Sequence, residues 1–225
     1  MIAVENATVK TYVNVRQFLP ISQVSMLGEC ETKFVKAITG QLYPTKAMRT
    51  GTELHQKLTE GLPSVTREDI ITVMKAGRQM KVREVFVTDI KLKLRGRIDQ
   101  LDLIGKDVDG KNRAIIIDDK FSKRNYEDML PQHKLQLAAY TSAVHNSVDF
   151  GSICRVVGIR LARRNSDNMQ IDREFDVNAE TLYSWEHNVV LASKVAWVLY
   201  KKERQPSHRM LDVVSGKWNT CTCNL

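Results

Sequence analysis

Apolar residues recur at two periods along this chain of 225 residues, and the switch between them predicts its architecture. The N-terminal third carries the helical period: residues 22–39 stop at Gly40, residues 48–60 stop at Gly61, and residues 67–81 supply a third helix. The texture then turns to strands over 82–87, 91–95, 97–104 and 114–118, the last two separated by the turn signal Asp107-Val108-Asp109-Gly110. An antiparallel meander is expected. A helix over 131–145 and a strand over 153–162 follow, and a strand–helix–strand unit requires a crossover, so the sheet should be mixed, with helices packed on it. Leu182, Trp185, Val189, Ala192, Ala196 and Leu199 recur at intervals of three and four, marking the core-facing stripe of a long helix. From Gln205 onward the chain reads as irregular.

The sequence holds no internal repeat, low-complexity segment or Pro/Gly/Ser linker. One α/β domain over residues 1–225 is expected, with a helical region (1–81), a catalytic sheet and helix (82–162), and a C-terminal helix with a cysteine-bearing tail (163–225). No apolar run approaches the roughly 18 residues that span a bilayer, and the N-terminus lacks a secretory pattern. An intracellular protein without a membrane partner is expected. A net charge of +8 favours an anionic partner, with basic clusters at Arg160, Arg163, Arg164 and at Lys201, Lys202, Arg204.

The stretch from Gly96 to Tyr140 carries the chemistry. Gly96-Arg97-Ile98-Asp99 precedes the apolar run 114–117, which ends in Asp118-Asp119-Lys120. Asp99 and Asp118, at the ends of neighbouring strands, can converge on Mg²⁺ or Mn²⁺, which supplies a nucleophilic water and neutralises charge on a phosphodiester. Lys120 lies two residues beyond Asp118 and so shares its face, where it can orient the water or stabilise the pentavalent oxygens. Asp119 points the other way. Gln136 and Tyr140 share a helix face and can hydrogen-bond a phosphate or the lysine. His55 follows Gly51 by four residues on a helix, where the glycine permits close approach and the imidazole can act as a ligand. Glu84, alternating with Val82 and Phe86, is an outer-shell carboxylate or a solvated strand residue. Cys154 lies in a buried strand and reads as a small apolar side chain.

In this order, Cys30, Gly51 to His55, Glu84, Gly96 to Asp99, Asp118-x-Lys120, Gln136 to Tyr140, Cys221 and Cys223 resemble the RecB-like branch of the PD-(D/E)xK nucleases. Within it, 30–34 and 51–58 look most like exonuclease V, with the iron–sulfur nucleases of CRISPR adaptation close behind. The resemblance implies a restriction-endonuclease-like fold and an exonuclease acting on single-stranded DNA in repair, replication or CRISPR adaptation. It also implies His55, Asp99, Asp118 and the main-chain carbonyl of Asp119 as metal ligands, Lys120 as the catalytic lysine, and Gln136 and Tyr140 as positioning groups. These families hold a [4Fe–4S] cluster, here implied on Cys30, Cys221 and Cys223. Cys221-Thr222-Cys223 departs from the wider family spacing and no further cysteine follows, which leaves Cys154, His208 or another residue as the fourth ligand. The alternative reading is a catalytically silent nucleic-acid-binding or cluster-binding module of the same fold.

Overall fold

The computed structural model describes residues 2–6, 9–13, 17–60, 62, 65–121 and 128–221. A hairpin of β1 (Ile2–Asn6) and β2 (Val9–Val13) comes first. The short strand β3 (Leu19–Pro20) leads into α1 (Ile21–Val24), a 3-10 turn at Ser25–Gly28, α2 (Glu31–Ile38), α3 (Lys46–Thr59) and α4 (Arg67–Ala76). Next come β4 (Met80–Asp89), β5 (Leu94–Lys106), β6 (Asn112–Phe121), α5 (Pro131–His145), β7 (Cys154–Arg164), β8 (Ile171–Asn178) and α6 (Ala179–Tyr200). A last hairpin, β9 (Arg209–Asp212) with β10 (Lys217–Thr220), stands where an irregular tail was expected.

The central sheet has six strands in the order β3-β5-β6-β7-β8, with β4 also paired to β5. The expected meander is β4-β5-β6, antiparallel throughout, and the expected crossover is α5, which joins β6 to its parallel neighbour β7. Residues 91–93 of the expected strand 91–95 form a turn, and 94–95 join 97–104 in one strand, β5, because Gly96 continues the ladder opposite Val87.

Helix ends follow local chemistry. Thr66 and Asp69 form a reciprocal capping box at α4, and Gly77 ends that helix with φ +66°. The expected helix over 67–81 therefore stops five residues early, and Met80 already belongs to β4. Pro131 opens α5 at its first turn, where a missing N–H costs nothing. The expected helix over 22–39 is broken at Gly28, whose Cβ position lies 2.8 Å from the backbone of Gln132 at the start of α5. Only glycine admits that contact.

The core lies between the sheet and the pair α5 and α6. Helix α5 is buried on nearly every side, and Ala138, Ala139 and Ala143 let its backbone approach the strands and α6 closely. Leu182, Trp185, Val189, Ala192, Ala196 and Leu199 of α6 are all buried, as their spacing predicts. The carboxylate of Asp89, at the end of β4, accepts bonds from Ser142 Oγ (2.6 Å), Asn146 Nδ2 (2.9 Å) and the Leu92 amide (2.8 Å), fixing α5 to the sheet edge.

One buried ion cluster ties the two ends of the main fold together. Glu31, in the first turn of α2, is fully buried. Its carboxylate accepts from Arg204 Nη1 and Nη2 (2.7 and 2.5 Å), Arg209 Nε (2.7 Å) and Ser207 N and Oγ (3.1 and 3.0 Å). Burial alone would raise its pKa, yet the bonds from Arg204, Arg209 and Ser207 overcome it and lower the carboxyl from 4.5 to about 2. Because the folded pKa is the depressed one, this stabilisation is complete above about 4.5 and is lost as pH falls toward about 2. Replacing one partner of such a pair costs about 3 to 5 kcal/mol. Glu31→Gln should therefore lower the melting temperature at pH 7 and flatten the acid limb of the stability–pH curve between pH 4.5 and 2, measured by calorimetry.

Candidate active site

The pairing of β5 with β6 matches Gln100 to Ile117, which sets Asp99 beside Asp118 at the sheet surface. Asp99 lies inside β5 rather than at its end as expected, and the Asp119 amide donates to Asp99 Oδ2 at 2.8 Å, clamping the two strands where their ladder stops. Lys120 Nζ lies 2.8 Å from Asp118 Oδ2 and donates to Gln136 Oε1 at 3.2 Å. Gln136 Nε2 in turn donates to Asp118 Oδ1 (3.3 Å) and to Tyr140 Oη (3.2 Å). The predicted face of α5 thus lies directly over the aspartate and the lysine.

His55 of α3 reaches the same place from the other side. Its Nε2 is 3.1 Å from Asp99 Oδ2 and its Nδ1 is 3.2 Å from Glu84 Oε1, and His55, Glu84 and Asp99 offer ligand atoms within 4.8 Å of one another. Glu84, the expected outer-shell carboxylate, is therefore in direct contact with the histidine. Gly51 is not what lets His55 approach, since its Cβ position meets nothing within 4 Å.

The backbone explains how Glu84 arrives there. Regular alternation cannot bury both Val82 and Val85, yet both are buried. The strand resolves the conflict at Glu84, which adopts φ +58° and drops out of the ladder between the pairs Arg83–Gln100 and Val85–Ile98. A non-glycine residue in this region costs about 1 to 3 kcal/mol and is typical of strained functional positions. The expected alternation of Glu84 with Val82 and Phe86 is replaced by this kink.

The electrostatics favour a cation. Asp118, which is buried, is raised by loss of hydration and by the charges of Asp99 and Asp119, against the pull of Lys120. Asp99 is lowered despite its burial, through the His55 bond and the charge of Lys120. His55 is raised, first by its bond to Asp99. Glu84 Oε1 and Asp118 Oδ2 are buried atoms without a hydrogen bond among the described residues, although each has an opposite charge near it. Such converging imidazole and carboxylate donors suit a hard divalent ion. Burial raises the Tyr140 phenol, which stays neutral, and burial together with Lys120 pushes His133 down to about 3.

Asp119 does point away from this centre, and its side chain has a task that the sequence did not disclose. It is fully buried between Arg83 Nη1 (2.9 Å) and Arg164 Nε (2.6 Å). These two arginines hold the end of β6 from behind, and their separations of 36 and 45 residues leave no local signal. The basic run at Arg160, Arg163 and Arg164 is likewise engaged internally, with Arg160 paired to Asp176 and Arg163 to Asp172. Of the cysteines, Cys30 and Cys221 come together with His208, and Cys154 at the start of β7 is not in that group. Cys223 lies outside the described residues.

A model of the PD-(D/E)XK nuclease superfamily matches residues 27–190. The chain belongs to that superfamily. Its mixed sheet flanked by helices is the restriction-endonuclease-like core, and nucleases of this superfamily use divalent metal ions. Among solved structures, the chain is similar to a protein provisionally named an exonuclease from Eubacterium rectale, at 13% identity and a TM-score of 0.49 over 91% of this chain and 90% of that one. It is also similar to the alkaline exonuclease LHK-Exo of Laribacter hongkongensis, at 11% identity and a TM-score of 0.43 over 83% and 89%. No curated protein matches the sequence. Among the described residues, no helix is long and apolar enough to cross a membrane.

In this nuclease the Cβ position of Gly96 lies 2.6 Å from Tyr140 Cε1, so the tyrosine ring occupies space that only glycine leaves free. Gly96→Ala should displace Tyr140 from Gln136 and cost about 1 to 3 kcal/mol through overpacking. A lower melting temperature together with reduced nuclease activity would bear this out, and an unchanged one would not.

Proposed function

We propose that this chain is a Mg²⁺- or Mn²⁺-dependent deoxyribonuclease of the RecB-like branch, an intracellular exonuclease degrading single-stranded DNA in repair, replication or CRISPR adaptation. The observation that carries this reading is the convergence of Lys120, Asp118 and Gln136 with His55, Glu84 and Asp99 where the β5–β6 ladder stops. His55, Asp99, Asp118 and the Asp119 carbonyl would hold the ion, with Glu84 beside His55. The ion would activate a water and neutralise charge on the phosphate. Lys120 orients that water or stabilises the oxygens of the transferring phosphate, and Gln136, braced by Tyr140, keeps the ammonium in place.

The surroundings support a single-stranded substrate. The site opens into a cleft of about 430 Å³ lined by Phe86, Arg95, Arg97 and Tyr140. Through Pro20 and Arg95 it adjoins a larger hollow of about 1080 Å³ between β3, the start of β5 and α6. Every charged residue lining that hollow is basic: Lys91, Lys93, Arg95, Lys194 and Lys201. Trp197 and Tyr200 add aromatic surface, and stacking on such rings with backbone neutralisation by lysines is how unpaired strands are held without sequence preference. Of the two basic clusters noted in the sequence, Lys201 of the second lines this hollow, whereas Arg160, Arg163 and Arg164 are paired with carboxylates. The resemblance further implies a metal group joining Cys30 to the tail cysteines.

Asp118→Ala and Lys120→Ala should each abolish Mg²⁺- or Mn²⁺-dependent degradation of single-stranded DNA while the circular dichroism spectrum stays folded. Linear DNA should be digested and circular DNA spared. Wild-type turnover in the variants would sink the assignment, and salt-sensitive DNA binding without any metal-dependent turnover would favour the silent binding module.

A further inference from the structure

The corner where α2 begins and the β9–β10 hairpin ends contains a second donor cluster, remote in chemistry from the carboxylate site. Cys30 is the residue preceding α2, Cys221 directly follows β10, and His208 directly precedes β9. Antiparallel closure of the hairpin, with the Cys221 amide donating to the His208 carbonyl at 3.2 Å, brings His208 and Cys221 together at its open end. The Sγ atoms of Cys30 and Cys221 are 3.0 Å apart and both cysteines are buried, and a ring nitrogen of the exposed His208 completes a group within 4.8 Å.

We infer that Cys30, His208 and Cys221 bind a single tetrahedral ion of the zinc class, in place of the four-cysteine [4Fe–4S] cluster that the family resemblance implies. The inference concerns this corner alone and rests on the nuclease reading only for the expectation it replaces. Two arguments carry it. The first is donor type: imidazole with thiolates is a usual set for zinc, whereas a [4Fe–4S] cluster takes four thiolates. The second is size. Zinc–sulfur bonds of about 2.3 Å place tetrahedral ligands about 3.8 Å apart, so the two thiols need only a small opening to admit one ion. A cubane attaches each thiolate to a different iron and spreads the sulfurs far wider. A donor outside these three residues fills the fourth position.

The neighbouring structure explains why an ion here would matter. Glu31, next to Cys30, already binds Arg204, Ser207 and Arg209, so the metal would join the same two segments that the buried carboxylate joins. Metal binding to a site absent from the unfolded chain adds to folding stability.

Metal analysis of purified protein should give one zinc per chain and no acid-labile sulfide. Cobalt replacement should give the intense visible bands of a tetrahedral thiolate site. Cys30→Ser, Cys221→Ser and His208→Ala should each weaken binding by more than the roughly 10- to 100-fold loss typical of an outer partner. Asp118→Asn and Cys154→Ser should keep the full complement, so loss of nuclease activity and loss of this site are read separately. If a cysteine variant fails to fold, the exposed His208 gives a second route. Chelation should lower the melting temperature of the wild type and added Zn²⁺ restore it, while His208→Ala responds to neither. Four irons with sulfide, a metal-free protein, or zinc content indifferent to His208→Ala would each overturn the inference.

Discussion

The working centre depends on the register between β5 and β6. Asp99 and Asp118 are useful only side by side, and their mutual repulsion would drive the two strands apart if nothing opposed it. The opposing contacts are specific: the Asp119 amide bonds Asp99, Lys120 neutralises Asp118, and Arg83 and Arg164 grip the Asp119 side chain from the far face. A slip of one residue would reverse every side chain and point the carboxylates into the core. Backbone pairing, the buried arginines and the lysine therefore act as one clamp around a concentrated negative charge.

Two helices complete this centre, and they are fastened differently. Helix α5 is embedded, and its alanines bring Gln136 and Tyr140 over the strand ends with little freedom. Helix α3 buries no residue of its own and delivers only His55. The rigid half of the site thus contains the lysine and Asp118, while the histidine arrives on a lightly packed element.

Much of this was legible in the sequence where a strong local signal existed. Pro131 and the apolar residues after it marked α5, the three-and-four spacing marked α6, and the ordered motifs gathered His55, Asp99, Asp118, Lys120, Gln136 and Tyr140. What escaped had nonlocal causes. Gly28 breaks a helix because Gln132 presses against it, Glu84 leaves its strand because Val82 and Val85 both need the core, and Arg83 and Arg164 meet Asp119 across many residues. Strand β8 was missed because the segment that forms it, Ile171–Asn178, has charged and polar residues at most of its positions, leaving little apolar alternation to read.

Glu31 illustrates how such distant pairing bears on the order of synthesis. Its partners Arg204, Ser207 and Arg209 lie 173 to 178 residues downstream, so on a ribosome α2 emerges long before anything can neutralise its carboxylate. Contacts of such long sequence separation form late. A nascent chain can hold every carboxylate of the candidate site and still lack the contact that closes α2 against the β9–β10 hairpin. Completion of the fold is thereby tied to the arrival of residues 204–209.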